Sequence, residues 1–144
     1  EWYSNGDIKY RVNYDNGVKQ GLEEKWYKNE RLASRTKYVN GVKQGLYKEW
    51  YESGNIKLQV KYVKGVKQGV QKEWYETGEL LSQTNYVDNL RHGLEERWHK
   101  NGQLQYRANY ENDYKQGIEE QWYEDGNIAT IIKFLNNKMV KRIK

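Results

Sequence analysis

Aromatic side chains recur every 24 residues, a spacing at which they could bind an extended polymer by stacking on it. Each tryptophan is followed directly by a second ring. The tryptophans are Trp2, Trp26, Trp50, Trp74, Trp98 and Trp122, and the rings that follow them are Tyr3, Tyr27, Tyr51, Tyr75, His99 and Tyr123. Few aliphatic residues are available, so we interpret the tryptophans as the hydrophobic core. Neighbouring strand residues point to opposite faces, which makes the second ring of each pair the better candidate for an exposed binding position.

A column of cations recurs with the same period. Its members are Lys19, Lys43, Lys67, Arg91 and Lys115. In a sheet of paired hairpins they would stand about 10 Å apart. This spacing could serve phosphates, acidic lipid headgroups or an acidic protein. The alternative, which we favour, is that these cations protect a sheet edge and solvate a turn.

No residue set in the sequence predicts catalysis, a metal site or a cofactor. Paired acids such as Glu95 and Glu96 are adjacent, so in a strand they point to opposite faces and cannot act on one substrate. His92 and His99 are the two histidines and cysteine is absent, which leaves no metal-ligand set and no disulfide. None of the serines has the context of a nucleophile elbow. We therefore predict that the protein is not an enzyme and needs no cofactor.

The charge and the hydropathy of the chain indicate which partner and which kind of core to expect. The net charge of +5 carries both signs interspersed, and glutamates such as Glu49 and Glu73 beside the tryptophans would repel phosphate, so we do not expect a nucleic-acid partner. A mean hydropathy of −1.22 is too polar for a thick core, although an aromatic fraction of 15% could seal a thin one.

No apolar run approaches the roughly 20 residues of a membrane-spanning helix. The chain starts without methionine and within a unit, at Glu1, so we expect it to be a fragment of a longer protein.

One unit, Leu46–Gly69, shows which elements would position these side chains. It reads LYKEWYESGNIKLQVKYVKGVKQG. The stretch Leu46–Tyr51 is short and aromatic-rich, as expected of a strand. The stretch Ile56–Tyr62 alternates apolar and polar residues, with Ile56, Leu58, Val60 and Tyr62 pointing inward. An apolar spacing of two excludes an amphipathic helix and predicts two strands for each unit.

The segments between these strands predict two kinds of tight turn. Glu52-Ser53-Gly54 fits a type I turn closed by a left-handed glycine, whereas Lys28-Asn29-Glu30 breaks the rule and predicts a strained or altered turn. Pairs such as Asn16-Gly17 predict type I′ hairpin turns. A further glycine precedes the next unit and predicts a bend or a close backbone approach under a ring. This glycine recurs as Gly45, Gly69 and Gly93.

The sequence therefore predicts an all-β fold, an elongated single antiparallel sheet of serial β-hairpins built from about six 24-residue repeats. We expect one repeat domain over residues 1–144, in which the tryptophan and tyrosine columns stack into an aromatic spine. The lysine-rich last segment is expected to cap the sheet. The units are 1–21, 22–45, 46–69, 70–93, 94–117 and 118–144.

The repeat pattern resembles the MORN-repeat variant of bacterial proteins. It reads [Leu/Val]-x-x-x-Trp-Tyr-x-x-Gly-x-[Leu/Ile], followed by Tyr-x-Asn-Gly-Val-Lys-Gln-Gly, across nearly the whole chain. The resemblance implies a rod of serial hairpins and a non-enzymatic role as an interaction scaffold, and it supplies no catalytic residues. Some members of that family are antitoxins, and others are surface-exposed or secreted. Choline-binding and toxin carbohydrate-binding repeats are similar at Trp50–Gly54 but carry a second tryptophan that is absent here.

Three functions remain open from the sequence. The leading hypothesis is a scaffold that binds another protein, for adhesion or for toxin neutralisation. The second is a glycan-binding module of a bacterial surface protein that uses the column of rings after the tryptophans. The third is binding of acidic phospholipid through the recurring cations. The partner and the compartment, whether cell surface, secreted or cytoplasmic, are not determined by the sequence.

Overall fold

The computed structural model describes all residues 1–144 and contains strands and turns but no helix. Hydrogen bonds join every strand into one sheet. The strands are β1 (Tyr10–Asp15), β2 (Val18–Trp26), β3 (Leu32–Val39), β4 (Val42–Lys43), β5 (Gly45–Trp50), β6 (Ile56–Val63), β7 (Val66–Lys67), β8 (Gly69–Trp74), β9 (Leu80–Val87), β10 (Leu90–Trp98), β11 (Leu104–Glu111), β12 (Tyr114–Trp122), β13 (Ile128–Leu135) and β14 (Lys138–Arg142).

Consecutive strands pair antiparallel from β1 to β14, so the predicted sheet of serial hairpins is confirmed. The segments β4 and β5 both pair with β3, and they are two parts of one strand interrupted at Gln44. In the same way β7 and β8 both pair with β6 around Gln68. Ahead of β1, Trp2 and Ile8 form an isolated antiparallel bridge. Short antiparallel connections of this kind give a chain in which each hairpin pairs only with its neighbours.

The strand register places the two aromatic columns on opposite faces of the sheet. Tyr62 lies opposite Lys67, and two residues earlier Val60 lies opposite Tyr47. We call this side the tyrosine face. Lys48 lies opposite Gln59 on the other side, which we call the tryptophan face because Trp50 follows two residues later in the same strand.

Both predicted turn types are present. The two-residue hairpin turns have positive φ at both positions, 47° and 78° at Asn16 and Gly17, as a type I′ turn requires. In the three-residue turns the third residue is also left-handed, with φ of 94° at Gly54. Glu30 occupies this position in the second hairpin with φ of 63°, a conformation that favours glycine. The strained turn expected there is confirmed.

A second set of glycines bends the strands. Gly69 has φ of 77°, and an added side chain would meet no atom within 4 Å, so its conformation rather than crowding requires glycine. The bend is confirmed, and the alternative of a close approach under a ring is wrong. At the matching bend in the first hairpin, Lys19 pairs with Tyr14 and Glu23 with Val12. Three residues of β2 therefore lie opposite one residue of β1, which is a bulge with two extra residues.

The core is a thin layer on the tyrosine face. Small side chains in the middle of the sheet are the most buried, including Val60 and Ala108 at 1% exposure and Thr36 at 2%. The tryptophans from Trp26 to Trp122 are only half-buried, and Trp2 is 70% exposed. Long side chains on either side cover the small ones, so the sheet has a core without a second layer.

The predicted aromatic spine is wrong. The single pair of packed rings is Tyr47 and Tyr62, whose centroids lie 6.3 Å apart in an edge-on arrangement. Equivalent rings of successive repeats are two strands apart, about 10 Å, which exceeds the reach of ring packing. Cations fill the interval between them.

Candidate binding faces

The tyrosine face carries a ladder in which rings alternate with cations. Lys67 Nζ lies 4.8 Å from the centroid of the Tyr86 ring, and the Arg91 guanidinium lies 4.0 Å from that of Tyr110. At these distances a cation is attracted to the ring by about 0.5–2 kcal/mol, depending on solvent exposure. The same contact is made by Lys19 with Tyr38, Lys43 with Tyr62, and Lys115 with Phe134.

Most cations of this ladder have a second partner four residues later in the chain. Arg91 Nη1 lies 3.3 Å from a carboxylate oxygen of Glu95, and Lys67 Nζ donates to Gln71 Oε1 at 2.8 Å. In a regular strand such residues would be about 13 Å apart, and the bulge at the left-handed glycine brings them together. Ion pairs also join Lys19 to Glu23 and Lys115 to Glu119.

These pairs settle the position of the recurring cations. They lie on the tyrosine face against rings and acids, and not at an open edge of the sheet as expected. Burial by itself raises the pKa of Glu23, but the hydrogen bonds from Lys19 and Tyr10 outweigh it, and the pKa lies below its ordinary value. The same contact raises the pKa of Lys19. Whether Lys19, Lys43, Lys67, Arg91 and Lys115 bind a ligand stays a prediction, and most of their charge is already balanced within the fold.

The ring that follows each tryptophan joins one repeat to the next. Tyr51 Oη donates a hydrogen bond of 2.7 Å to the carbonyl oxygen of Trp74, and Tyr75 Oη donates one of 2.9 Å to that of Trp98. Tyr3 and Tyr27 make the same bond to Trp26 and Trp50, and His99 Nε2 lies 3.0 Å from the carbonyl oxygen of Trp122. These five rings are half-buried, so the expected exposure is wrong for them. Tyr123 is 60% exposed and lacks this bond.

A single row of side chains crosses the tryptophan face from strand to strand. Its members lie directly opposite one another in the register, so their side chains are on the same face. The row runs Arg11, Glu24, Arg35, Lys48, Gln59, Lys72, Gln83, Glu96, Arg107 and Glu120. We call it the charge row.

Opposite charges alternate at both ends of the charge row. Glu24 is 2% exposed and accepts from Arg11 and Arg35 at 2.5 and 2.7 Å. Burial by itself raises the pKa of Glu24, but the hydrogen bonds from the two arginines prevail and lower it. Towards the other end of the row Arg107 lies 3.1 Å from Glu96.

The middle of the charge row has cations without acids. Lys48 and Lys72 replace the glutamates, and neither makes an ion pair, a side-chain hydrogen bond or a contact with a ring. Lys37 and Lys61 likewise have no partner. They lie on the same face, two residues after Arg35 and Gln59 of the charge row. We call these four residues the lysine patch. A pattern of recurring residues does not predict the patch, because Lys48 and Lys72 depart from the repeat, and that departure is the sequence signal for it.

Exposed aliphatic side chains surround the lysine patch on the same face. Leu46 is 50% exposed and lies opposite Lys61, and Val70 is 43% exposed. Nearer the hairpin turns, Val39 and Val42 lie opposite each other, also exposed. The tryptophan face is therefore the side on which apolar surface meets solvent.

The largest depression, about 670 Å³, lies over the first two hairpins and is lined by residues such as Tyr10, Lys19 and Glu23, which bond to one another. No group of three or more His, Cys, Asp or Glu side chains is placed to hold a metal ion. The fold also has no helix with the length and apolar character needed to cross a bilayer.

Comparison with known families identifies the repeat. The MORN repeat variant matches residues 1–16, 43–64, 67–88, 91–112 and 115–136. The chain belongs to the MORN repeat variant family. The stretch 17–42, which is not matched, contains the hairpin in which Glu30 replaces glycine. MORN repeats are in general non-catalytic interaction modules.

Wider comparisons add little to the family assignment. No curated protein matches the MORN-repeat chain. Among solved structures, the GtfA/B complex bound to UDP and GlcNAc is 12% identical, with a TM-score of 0.31 over 86% of this chain and 24% of that one. A point mutant of S. aureus TarM, in complex with fondaparinux, α-GlcNAc-glycerol and UDP, is 10% identical, with a TM-score of 0.34 over 93% and 21%. The chain thus spans less than a quarter of either structure, and the likeness is too low to support an argument.

Proposed function

We propose that this MORN-repeat chain is a non-enzymatic scaffold that binds another protein through its tryptophan face. The observation that carries the proposal is the difference between the two faces. On the tyrosine face the polar groups bond to each other, as Arg91 does to Glu95. On the tryptophan face Leu46 and Val70 are exposed beside lysines that have no partner. Exposed apolar surface with a polar surround is typical of a protein interface.

The glycan alternative rests on the rings that follow the tryptophans. Five of these rings already bond to a carbonyl in the next repeat, which leaves them less free to stack on a sugar. Tyr123 alone is exposed, and one ring offers little to a polymer. The acidic-lipid alternative rests on the recurring cations, four of which contact a side chain four residues later. Both alternatives therefore have less support than a protein partner on the tryptophan face.

The partner could be a toxin that the scaffold neutralises or a surface protein to which it adheres. Both roles need the same exposed face, so they share one test. A photo-reactive amino acid is placed at Leu46 or Val70 on the tryptophan face and, as the matched control, at Lys25 or Gln121 on the tyrosine face. All four positions are exposed.

The proposal predicts covalent capture of one identified protein from the first two positions only, followed by binding of that purified protein to the unmodified chain. Capture from the tyrosine face alone, or from no position, would contradict the proposal.

A further inference from the structure

We infer that the lysine patch binds an acidic, partly apolar segment of the partner protein. This inference rests on the proposed scaffold function and adds the chemistry of the partner. The patch consists of Lys37, Lys48, Lys61 and Lys72 on the tryptophan face.

The charge row supplies the first argument. At its ends every acid has an arginine beside it in the register, as Glu24 has Arg35 and Glu96 has Arg107. In the middle the neighbours of Lys48 and Lys72 are glutamines or another cation, and no carboxylate lies between Glu24 and Glu96. Cations that the fold leaves without counter-charge create a local positive potential that an acidic partner can neutralise.

The extent of the patch favours a protein segment over a continuous polyanion. Glu24 and Glu96 are six strand spacings apart, so they enclose about 29 Å of the sheet. Beyond this stretch the cations of the charge row are ion-paired, so a nucleic acid or a membrane surface that extended past it would gain no unpaired positive charge. A short polypeptide segment fits between them.

The aliphatic side chains give the second argument. Leu46 lies opposite Lys61, and Val70 is two residues before Lys72 on the same face. Each cation of this part of the patch thus has an exposed apolar neighbour. A segment in which acidic residues flank leucine or a similar side chain would match both features, whereas a phosphate backbone would leave the apolar surface in water.

The experiment measures binding of a fluorescently labelled synthetic peptide of Glu, Leu and Ser to the full chain by anisotropy. The same peptide with Gln in place of Glu is the neutral probe. Two variants are compared, Lys48→Gln with Lys72→Gln in the patch and Lys138→Gln with Lys141→Gln in the exposed last strand. Both remove two positive charges, so they separate a local contact from an effect of net charge.

We expect the acidic peptide to bind the unmodified chain more weakly as salt is added, and to lose about tenfold in affinity in the patch variant only. A second patch variant, Lys37→Gln with Lys61→Gln, should show a similar loss. Both of its positions are exposed, so it serves as a check in case the first variant misfolds. Equal losses in the patch and last-strand variants, or no binding of the acidic peptide, would overturn the inference.

Two further outcomes distinguish this inference from the proposed function. A single-stranded RNA oligonucleotide or phosphatidylserine vesicles could bind more tightly than the acidic peptide and lose this binding in the patch variant. That result would overturn a protein segment as the ligand. Covalent capture at Leu46 that persists in the Lys48→Gln, Lys72→Gln variant would overturn the role of the patch while the scaffold function stands. Absence of capture at Leu46 in the chain whose patch lysines are unchanged would instead contradict the scaffold function itself.

Discussion

Replacement of Tyr51 by phenylalanine tests the link between successive repeats. The Tyr51 hydroxyl donates to the carbonyl oxygen of Trp74 at 2.7 Å, and the ring is half-buried. Tyr51→Phe removes this hydroxyl and leaves the ring. Tyr123 occupies the equivalent position in the last repeat, where it is 60% exposed and makes no such bond. Tyr123→Phe is therefore a matched control that loses the same atom without losing a contact.

The expected effect follows from the value of one hydrogen bond. A bond of this kind contributes about 1 kcal/mol net to the free energy of unfolding, and a carbonyl left without a partner can add to the loss. In a repeat protein each repeat is stabilised by its neighbours, so weakening one interface lowers the stability of the array. For a chain of this length a loss of about 1 kcal/mol corresponds to a decrease of about 4 °C in Tm.

Urea unfolding followed by tryptophan fluorescence measures the loss directly, because each repeat contains a tryptophan next to the bond. Tyr51→Phe should lower the free energy of unfolding by about 1 kcal/mol with an unchanged dependence on urea, and Tyr123→Phe should lower it by less than about 0.3 kcal/mol. If the two variants were equally stable, the hydroxyl would not link the repeats and the reasoning would be refuted.

Three further predictions concern local strain, an unbonded hydroxyl and pH. Glu30→Gly should stabilise the protein by about 0.5–1 kcal/mol because it relieves a left-handed residue, whereas Glu76→Gly in an ordinary turn position should destabilise it, as measured by urea unfolding. Thr36→Val should raise the free energy of unfolding by about 1 kcal/mol because the Thr36 hydroxyl is buried without a hydrogen-bond partner. Thr84→Val, at a hydroxyl that borders a depression, should raise it by less, and thermal melts compare the two variants. The pKa of Glu24 is lowered, so its contribution to stability is present above its ordinary value of 4.5 and is lost as the pH falls through the folded-state pKa. In the Glu24→Gln variant the free energy of unfolding should therefore fall less steeply as the pH drops below about 4.5. An unchanged pH dependence in this range would count against the ion pairs of Glu24 with Arg11 and Arg35.

The sequence predicted the elements of the fold because the signals for them are local. Alternation in Ile56–Tyr62 and the Asn16-Gly17 pair depend on neighbouring residues, and the structure confirms the strand and the type I′ turn. The strained turn at Glu30 was predictable for the same reason, since glycine stands at that place in the other three-residue turns. The 24-residue period, the two strands in each unit and the short turns between them together predict a single sheet topology for the chain.

The contacts that depend on register could not be predicted from the same rules. Strand geometry places Lys19 far from Glu23, and the bulge that joins them became visible only in the register. The bond from Tyr51 spans 23 residues, so strand alternation assigned the ring to solvent. The lysine patch was missed because Lys48 and Lys72 depart from the repeat, and a search for recurring residues discards such positions.

The ion-paired lysines of the tyrosine face and the lysine patch differ in whether the fold supplies a counter-charge. Native-state acetylation of lysines, quantified residue by residue with mass spectrometry, measures this distinction without a partner. The lysine patch should react several-fold faster than the ion-paired lysines of the tyrosine face, Lys19 and Lys115, and the difference should vanish in urea. Equal native-state rates for Lys19, Lys115 and the patch would contradict the account, because the recurring lysines would then be as free to bind a partner as the patch.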